Sequence, residues 1–192
     1  MIPFNILGKV FSTFGHFIYP KSVREALCAF LEPLEKDAKV LDVGAGTGLL
    51  CEFAHECRDD LVYVALDPYE GMLKYAKDFV ETTIGTAEDL PFEKSSFDVL
   101  MMGEALHHFK DVDLALSEVV RVLKPEGKLF IYDFDKSTFR GKSICKGEKL
   151  LGEPGNFFDP KVLKEKLQGY GFQVETQNHA WRYTLCATLH KS

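Results

Sequence analysis

The fold is decided by the stretch Val40-Leu41-Asp42-Val43-Gly44-Ala45-Gly46-Thr47-Gly48. Its first four residues suit a buried strand, and a helical pattern follows the three glycines. Glycine permits backbone dihedrals that a Cβ atom forbids, and it lets a ligand come close to the main chain. The N–H groups at the start of the next helix favour a negative or hydrogen-bond-accepting group. The stretch therefore predicts a cofactor-binding loop between a strand and a helix.

The spacing of the glycines argues against one common cofactor. A dinucleotide fingerprint has the pattern G-x-G-x-x-G, in which the third glycine lets the helix pack closely on the strand. Counted from Gly44, that third glycine should replace Leu49, whereas it stands one residue earlier at Gly48. The loop therefore does not match the NAD pattern. Asp42, an acid at the end of the strand, favours a ligand that carries an ammonium group.

Length and charge indicate the general class of protein. At 192 residues, of which 46% are hydrophobic, the chain is long enough for one substantial core and short for two. A single domain over residues 1–192 is therefore predicted. The formal net charge of −6 argues against general nucleic-acid binding, which needs a basic surface to displace counterions.

The cysteines and the N-terminus bear on the cellular compartment. The five cysteines are an odd number without a C-x-x-C pair, which favours reduced thiols in a cytosol over a disulfide framework or a zinc site. The sequence from Met1 lacks the basic start and long apolar region of a signal peptide. No apolar run reaches the roughly 18 residues of a membrane span. We therefore expect a cytoplasmic protein with no membrane span and no metal site.

Strand-like and helix-like segments alternate along most of the chain. Strands are predicted over 38–43, 61–67, 80–84, 97–102 and 128–134, and helices near 47–58, 69–79 and 112–124. Several strands are apolar on both faces, which is typical of a parallel sheet covered on both sides. Two further strands, 172–177 and 182–190, are joined too closely for a parallel crossover. The predicted fold class is therefore α/β: a Rossmann-like, seven-stranded, mostly parallel sheet with an antiparallel C-terminal hairpin and helices on both faces.

Capping residues predict where three helices begin. Ser22 with Glu25 forms a capping box ahead of an amphipathic helix. Asp111 precedes the third helix of the alternating region. Asp159, followed by Pro160, starts the last helix.

We expect four functional stretches. Residues 1–36 are an aromatic segment and a helix, and the aromatic segment is either a lid over the pocket or a flap packed on the core. Residues 37–134 form the cofactor-binding half, residues 135–158 a substrate cover, and residues 159–192 the C-terminal helix and hairpin.

A second acid marks the predicted ligand edge of the sheet, because ligands of open α/β sheets bind at the carboxyl ends of the strands. Asp67 closes the second predicted strand, about 20 residues past the glycines, where an acid can accept both hydroxyls of a ribose. Asp67 can also cap the helical run near Tyr69, and the two roles are compatible.

The order of these motifs resembles the class I S-adenosylmethionine-dependent methyltransferases, and within them the group with the ubiquinone/menaquinone-biosynthesis C-methyltransferases. The resemblance rests on the glycine loop and on Leu66-Asp67-Pro68-x-x-x-Met72-Leu73, Ala87-Glu88-Asp89-Leu90-Pro91-Phe92, Ser96-Phe97-Asp98-Val99, Leu106-His107-His108 and Leu123-Lys124-Pro125-x-Gly127. It is dense over residues 38–134 and implies S-adenosylmethionine as the cofactor, with S-adenosylhomocysteine as the product.

The resemblance also implies a role for individual residues at the cofactor. The methionine end would contact Asp42, Gly44, Ala45, Gly46, Gly103 and Glu104, the ribose Asp67, and the adenine Pro68, Met72, Thr86, Ala87 and Glu88. Thr86 departs from the family, which often has an acid there. A neutral hydrogen bond from Thr86 is weaker than one from a charged group.

The implied reaction is methyl transfer to a small-molecule acceptor by in-line displacement. The candidate general base is His107 or His108, after the fourth strand, because an acceptor hydroxyl or carbon must lose a proton. Both histidines could instead only shape the pocket or face solvent. Tyr19, Asp133 and Asp135 are weaker candidate bases, and Tyr19 and Asp133 are also candidate substrate contacts.

The predicted cover carries a basic island of Lys136, Arg140, Lys142, Lys146 and Lys149. It could steer a carboxylate, a phosphate or an anionic membrane surface, or be a solvated loop, and Arg140 is the candidate substrate contact within it. Two other functions stay open: a methyltransferase acting on a protein or RNA, and a non-catalytic S-adenosylmethionine-binding regulatory module.

Overall fold

The structure is a computed structural model that describes residues 18–190. The predicted aromatic lid or flap, up to residue 17, lies outside the described residues. The strands are β1 (Lys39–Val43), β2 (Val62–Asp67), β3 (Val80–Ile84), β4 (Phe97–Gly103), β5 (Leu123–Phe134), β6 (Phe172–His179) and β7 (Arg182–Leu189). The helices are α1 (Lys21–Leu31), α2 (Leu49–Cys57), α3 (Glu70–Leu73), α4 (Val112–Val122), α5 (Phe139–Leu150) and α6 (Pro160–Gly169), with a short 3₁₀ turn at Leu106–His108.

All seven strands form one sheet in the order β3-β2-β1-β4-β5-β7-β6. The first five strands are parallel, and β7 runs antiparallel between β5 and β6. This confirms the predicted fold class. The strand order reverses at β1, which pairs with β2 on one side and β4 on the other. The crevice above the carboxyl end of β1 is therefore where a ligand is expected.

Consecutive residues of the central strands enter two different cores. On β1, Val40 packs on the face covered by α1, α2 and α3, and Leu41 packs on the face covered by α4 and α6; both are fully buried. Such double burial explains why the strands are apolar without alternation. It also makes the sheet a rigid platform for the loops that follow each strand.

Two element bounds differ from the prediction by several residues. Strand β5 begins at Leu123, before Pro125, because the ladder to β4 continues across an irregularity between the Phe97–Leu123 and Val99–Lys128 pairs. Helix α3 ends after one turn instead of continuing to residue 79. The chain beyond it is held by turn-type bonds, such as the one from the Ala76 N–H to the Leu73 carbonyl.

Helix starts follow the predicted caps in two of three cases. Asp111 accepts the Leu114 N–H at 3.0 Å and Asp159 accepts the Lys161 N–H at 2.8 Å, which confirms both. The capping box at Ser22 is wrong, since α1 begins directly after the extended residue Pro20 and Ser22 lies inside the helix. Proline fixes φ near the value the first turn needs, so the helix starts without a side-chain cap.

Cys28 on α1 and Cys57 at the end of α2 form a disulfide. The expectation of reduced thiols is therefore wrong for this pair, while Cys51, Cys145 and Cys186 are free. The two helices pack on the same face of the sheet and bring the two Cα atoms to 5.2 Å. Their separation of 29 residues gives no sign of this contact. Among residues 18–190, no helix is long and apolar enough to cross a membrane.

Candidate functional site

A cavity of about 480 Å³ opens at the carboxyl ends of β1, β2 and β4. Its volume lies within the usual range of small-molecule sites. Its wall contains every predicted cofactor residue except Asp42, namely Gly44, Ala45, Gly46, Asp67, Pro68, Met72, Thr86, Ala87, Glu88, Gly103 and Glu104, together with Tyr19, His107 and His108. Residues that were predicted from separate motifs of the sequence therefore line one cavity.

The glycine loop is held in a shape that side chains would prevent. Gly44 has φ of 73°, and a Cβ atom there would lie 2.7 Å from the Cβ of Ala105. The N–H groups of Gly44 and Ala45 donate to the Leu66 carbonyl at 2.8 and 3.0 Å. These two N–H groups are thus bonded within the protein and are not donors to a ligand. The loop instead lets a ligand in the cavity come close to the main chain.

Asp67 connects the glycine loop to the second strand. Its Oδ2 accepts the Gly46 N–H at 2.8 Å and its Oδ1 accepts the Tyr69 N–H at 2.9 Å. Asp67 therefore holds the turn before α3 but does not cap that helix, whose N-cap residue is Tyr69. Burial raises the pKa of Asp67, and these two backbone donors oppose the rise. An ionised carboxylate has about four acceptor positions, so two are left for hydroxyls of a ligand.

Asp42 lies behind the loop rather than on the cavity wall, which differs from its predicted role as a direct contact. Its Oδ2 accepts the Cys51 thiol at 3.6 Å, whereas Oδ1 is buried and has no hydrogen-bond partner among the described residues. Burial, with a smaller effect of Asp67, raises the pKa of Asp42 to about 7. An ionised Asp42 carboxylate would be stabilised by a hydrogen-bond donor or a cation near Oδ1.

Glu88 has a structural partner that its predicted adenine role did not include. Its Oε1 accepts the Lys110 N–H at 2.7 Å and the Asp111 N–H at 3.3 Å. The side chain therefore fixes the loop before α4 while it lines the cavity.

At the end of β4, Glu104 pairs with Arg182 of β7 at 2.5 Å. Burial raises the pKa of Glu104 to about 7, and Arg182 opposes that rise. The Tyr19 ring lies below Gly103, where a Cβ atom would be 2.0 Å from the phenol oxygen. Burial, and then the charges of Glu104 and Asp42, raise the pKa of Tyr19. Arg182 was not predicted, because only the hairpin pairing brings it to this edge.

His107 is 1% exposed and has a carboxylate at each ring nitrogen. Nδ1 lies 2.7 Å from Oδ1 of Asp133, and Nε2 lies 3.6 Å from Oε1 of Glu148. Burial alone would lower the pKa of His107, but Asp133 and Glu148 outweigh it and raise the pKa to about 10. The two carboxylates therefore favour the imidazolium form of His107 at neutral pH. Asp133 supports His107 from behind and does not line the cavity.

His108 has the opposite electrostatic environment. Burial and then the charge of His107 lower its pKa below the usual 6.5. Its Nδ1 lies 3.6 Å from Oε2 of Glu153, and its ring centroid is 4.1 Å from that of His107. The two adjacent histidines are thus pushed to different protonation states, as expected of groups with separate acid and base roles.

His107, His108 and Glu148 each bring one possible metal-binding atom within 4.8 Å of the others. Geometry alone would allow a divalent ion there. The close carboxylates already stabilise a proton on His107, and we assign the three residues to an acid–base network.

The predicted substrate cover reaches the cavity, but through different residues from those expected. Glu148 and Glu153 line the wall, and the Asn156 N–H donates to the His107 carbonyl at 2.9 Å. Arg140 is exposed and lies over the ring of Trp181, away from the cavity wall. Asp135 also lies off the cavity wall, where its carboxylate accepts the Ser137 N–H. No motif marked the two glutamates, which lie among lysines.

Comparison with known proteins identifies a domain that contains most of the cavity wall. Residues 41–131 match the family model described as a methyltransferase domain. The chain is 40% identical over 107 residues to the demethylmenaquinone methyltransferase of Renibacterium salmoninarum, which covers 53% of this chain and 43% of that protein. It is 31% identical over 160 residues to an uncharacterized methyltransferase of Schizosaccharomyces pombe, which covers 80% of this chain and 62% of that protein.

The chain spans less than two thirds of the length of both relatives. Among solved structures, a SAM-dependent methyltransferase from Aquifex aeolicus has a TM-score of 0.76 at 20% identity, covering 96% of this chain and 98% of that one. At that identity the likeness shows the fold.

Proposed function

We propose that this chain, which carries a class I S-adenosylmethionine-dependent methyltransferase domain similar to that of the ubiquinone/menaquinone C-methyltransferases, methylates a small-molecule acceptor. The observation that carries the proposal is that the glycine loop, Asp67 and a neutral imidazole, His108, line the same cavity.

The residues at the β1 and β2 edge fit S-adenosylmethionine. A Cβ atom at Gly44 would close the loop against Ala105, so the backbone is built for close approach. Asp67 keeps acceptor positions for the ribose hydroxyls after binding two backbone donors. Asp42 lies buried beneath the loop with Oδ1 unpartnered among the described residues, so the ammonium end of the cofactor would favour its ionised form from behind the cavity wall.

S-adenosylmethionine supplies an electrophilic methyl group on a sulfonium, and the sulfur keeps the electron pair when that methyl leaves. The protein's task is to hold the acceptor atom in line and to remove its proton. His108 is suited to removing the proton because its lowered pKa leaves it neutral at pH 7. Glu153, 3.6 Å from Nδ1, stabilises the charge that His108 then gains.

His107 supports His108 and is unsuited to act as the base itself. Since Asp133 and Glu148 keep it protonated, it has no free nitrogen lone pair. The positive charge of His107 helps to keep the pKa of His108 low. The His107 ring also stacks on Phe157 at a centroid distance of 4.5 Å, which holds the 3₁₀ turn that carries both histidines. His107 is therefore a positioning residue.

The size and cover of the cavity support a compact acceptor. At about 480 Å³ the cavity suits the cofactor and a compact partner, and Glu148 and Glu153 line its wall beside the two histidines. An acceptor that enters past these carboxylates must be small or present one protruding group.

A turnover screen tests the proposal. The purified chain is incubated with S-adenosylmethionine and a panel of phenols, quinol precursors, thiols and amines, and release of S-adenosylhomocysteine is measured. We expect turnover on at least one class, and at least tenfold weaker cofactor binding in Asp67→Asn, which keeps the size of the side chain but loses its charge. Tight cofactor binding without turnover on any class would instead support a binding module. Binding of NAD but not of S-adenosylmethionine would refute the cofactor assignment.

A further inference from the structure

Helix α5 presents two large apolar side chains to solvent on one stripe. Phe139 is 86% exposed and Leu150 is 87% exposed. They are eleven residues apart, so at about 100° per residue they point within about 20° of each other, and they are separated by about 16 Å along the axis. Because residues 18–190 leave both side chains exposed, the pair can enter a flat apolar surface together.

The charges around this stripe are segregated. The basic residues of the segment, Lys136, Arg140, Lys142, Lys146 and Lys149, are all exposed. Its acids point the other way: Asp135 is buried, and Glu148 and Glu153 contact the two histidines. The outer side of residues 135–158 is therefore cationic on a chain whose net charge is −6.

We propose that the outer side of α5 docks on the surface of an anionic phospholipid bilayer. Phe139 and Leu150 would enter the boundary between headgroups and acyl chains, while the flanking lysines contact lipid phosphates and carboxylates. Glu148 on the opposite side of α5 lines the cavity, so docking places the cover of the cavity against the membrane. This surface goes beyond the proposed reaction and does not depend on it.

A bilayer fits the surface better than a nucleic acid. Nucleic-acid binding would explain the lysines but leaves an exposed leucine at one end without a partner. Basic residues around exposed apolar anchors are the pattern of interfacial helices, which combine charge attraction with shallow burial.

Co-sedimentation with vesicles tests the proposal on the full chain. The vesicles contain phosphatidylcholine alone or with phosphatidylserine. We expect binding only to the anionic vesicles, with a loss of at least tenfold in the apparent affinity for Lys142→Gln/Lys146→Gln and for Phe139→Ser/Leu150→Ser. Binding of the wild type should also weaken as salt rises.

Helix α6 offers a matched control, since Lys161 is exposed and Val162 is 52% exposed there. Lys161→Gln/Val162→Ser should bind vesicles as the wild type does. Circular dichroism and calorimetric binding of S-adenosylmethionine check that all variants fold.

Three outcomes would overturn the docking surface. These are no binding of the wild type to anionic vesicles at low salt, equal losses in the α5 and α6 variants, or tighter binding to polyuridylate that depends on the lysines and not on Phe139 and Leu150. Because cofactor binding is measured separately, each outcome is distinct from a failure of the methyltransferase proposal.

Discussion

His107 and His108 are neighbours in sequence, with ring centroids 4.1 Å apart, yet the pKa of His107 is raised to about 10 while that of His108 is lowered. Asp133 and Glu148, one close to each ring nitrogen, outweigh burial and raise the pKa of His107, whereas burial and then the positive charge of His107 lower the pKa of His108. One residue therefore holds a proton and the other is ready to accept one.

Replacing His108 with Gln should lower kcat by about 100- to 10,000-fold, the usual loss when a general base is removed. The calorimetric Kd for S-adenosylmethionine should change by less than about threefold, because the residues proposed to hold the cofactor stay in place. Steady-state kinetics with the best acceptor from the screen measures the first quantity. An unchanged kcat would remove His108 from the mechanism.

The pH profile of kcat/KM separates the two histidines. In the wild type the acidic limb should lie below pH 6.5, because burial and the charge of His107 hold the pKa of His108 down. His107→Gln removes that positive charge, so the pKa of His108 should rise and the limb should move to higher pH. If the acidic limb of the His107→Gln profile, measured with the same acceptor, stays at the wild-type pH, the charge of His107 does not control the pKa of His108. A structural defect would instead lower kcat/KM at every pH without moving the limb.

Stability should fall as the pH rises from about 6.5 to 10. The pKa of His107 is about 10 in the folded chain and about 6.5 in the unfolded chain. Protonation of His107 therefore stabilises the fold fully below about pH 6.5, and this contribution is lost as the pH rises to about 10. Within this window the free energy of unfolding should decrease by about 1 kcal/mol per pH unit. Urea unfolding at several pH values measures it. Other groups also titrate here, so the decisive quantity is the difference from His107→Gln, which should shrink toward pH 10.

Gly44→Ala should destabilise the chain and weaken cofactor binding. The new Cβ atom would meet Ala105 at 2.7 Å, and φ of 73° adds about 1–2 kcal/mol of strain. We expect a lower Tm and at least tenfold weaker binding of S-adenosylmethionine. Gly147→Ala is the matched control, because a Cβ atom at that position on α5 meets nothing within 4 Å. It should raise stability by about 0.5–1 kcal/mol and leave cofactor binding unchanged.

The cofactor side of the site could be predicted from sequence because local rules determine it. The glycine spacing requires a special backbone, and Asp67 follows a strand that hydrophobic pattern alone identifies. The acceptor side could be predicted only in part. His107 and His108 follow a strand and were singled out, but Glu148 and Glu153 reach the cavity by tertiary packing that no local pattern records. The same packing brings Arg182 to Glu104 at the cavity wall.

The same distinction explains the errors. The Cys28–Cys57 disulfide depends on how two helices pack. Ser22 is not a cap because the fixed φ of Pro20 lets the helix begin two residues earlier than predicted. Helix α3 ended early because turn-type bonds take over after Leu73, which residue pattern did not indicate.

Helix α5 and the loop after it lie between β5 and α6, outside the sheet, so this segment can change in evolution separately from the strands. The proposed donor site uses the main chain and the ends of β1 and β2, whereas Glu148, Glu153 and the outer lysines all come from one continuous segment that is not part of the sheet. Replacing that segment would exchange both acceptor preference and docking surface in one step. The scaffold that holds the methyl donor would be inherited intact, so new specificities can arise on it without a new fold.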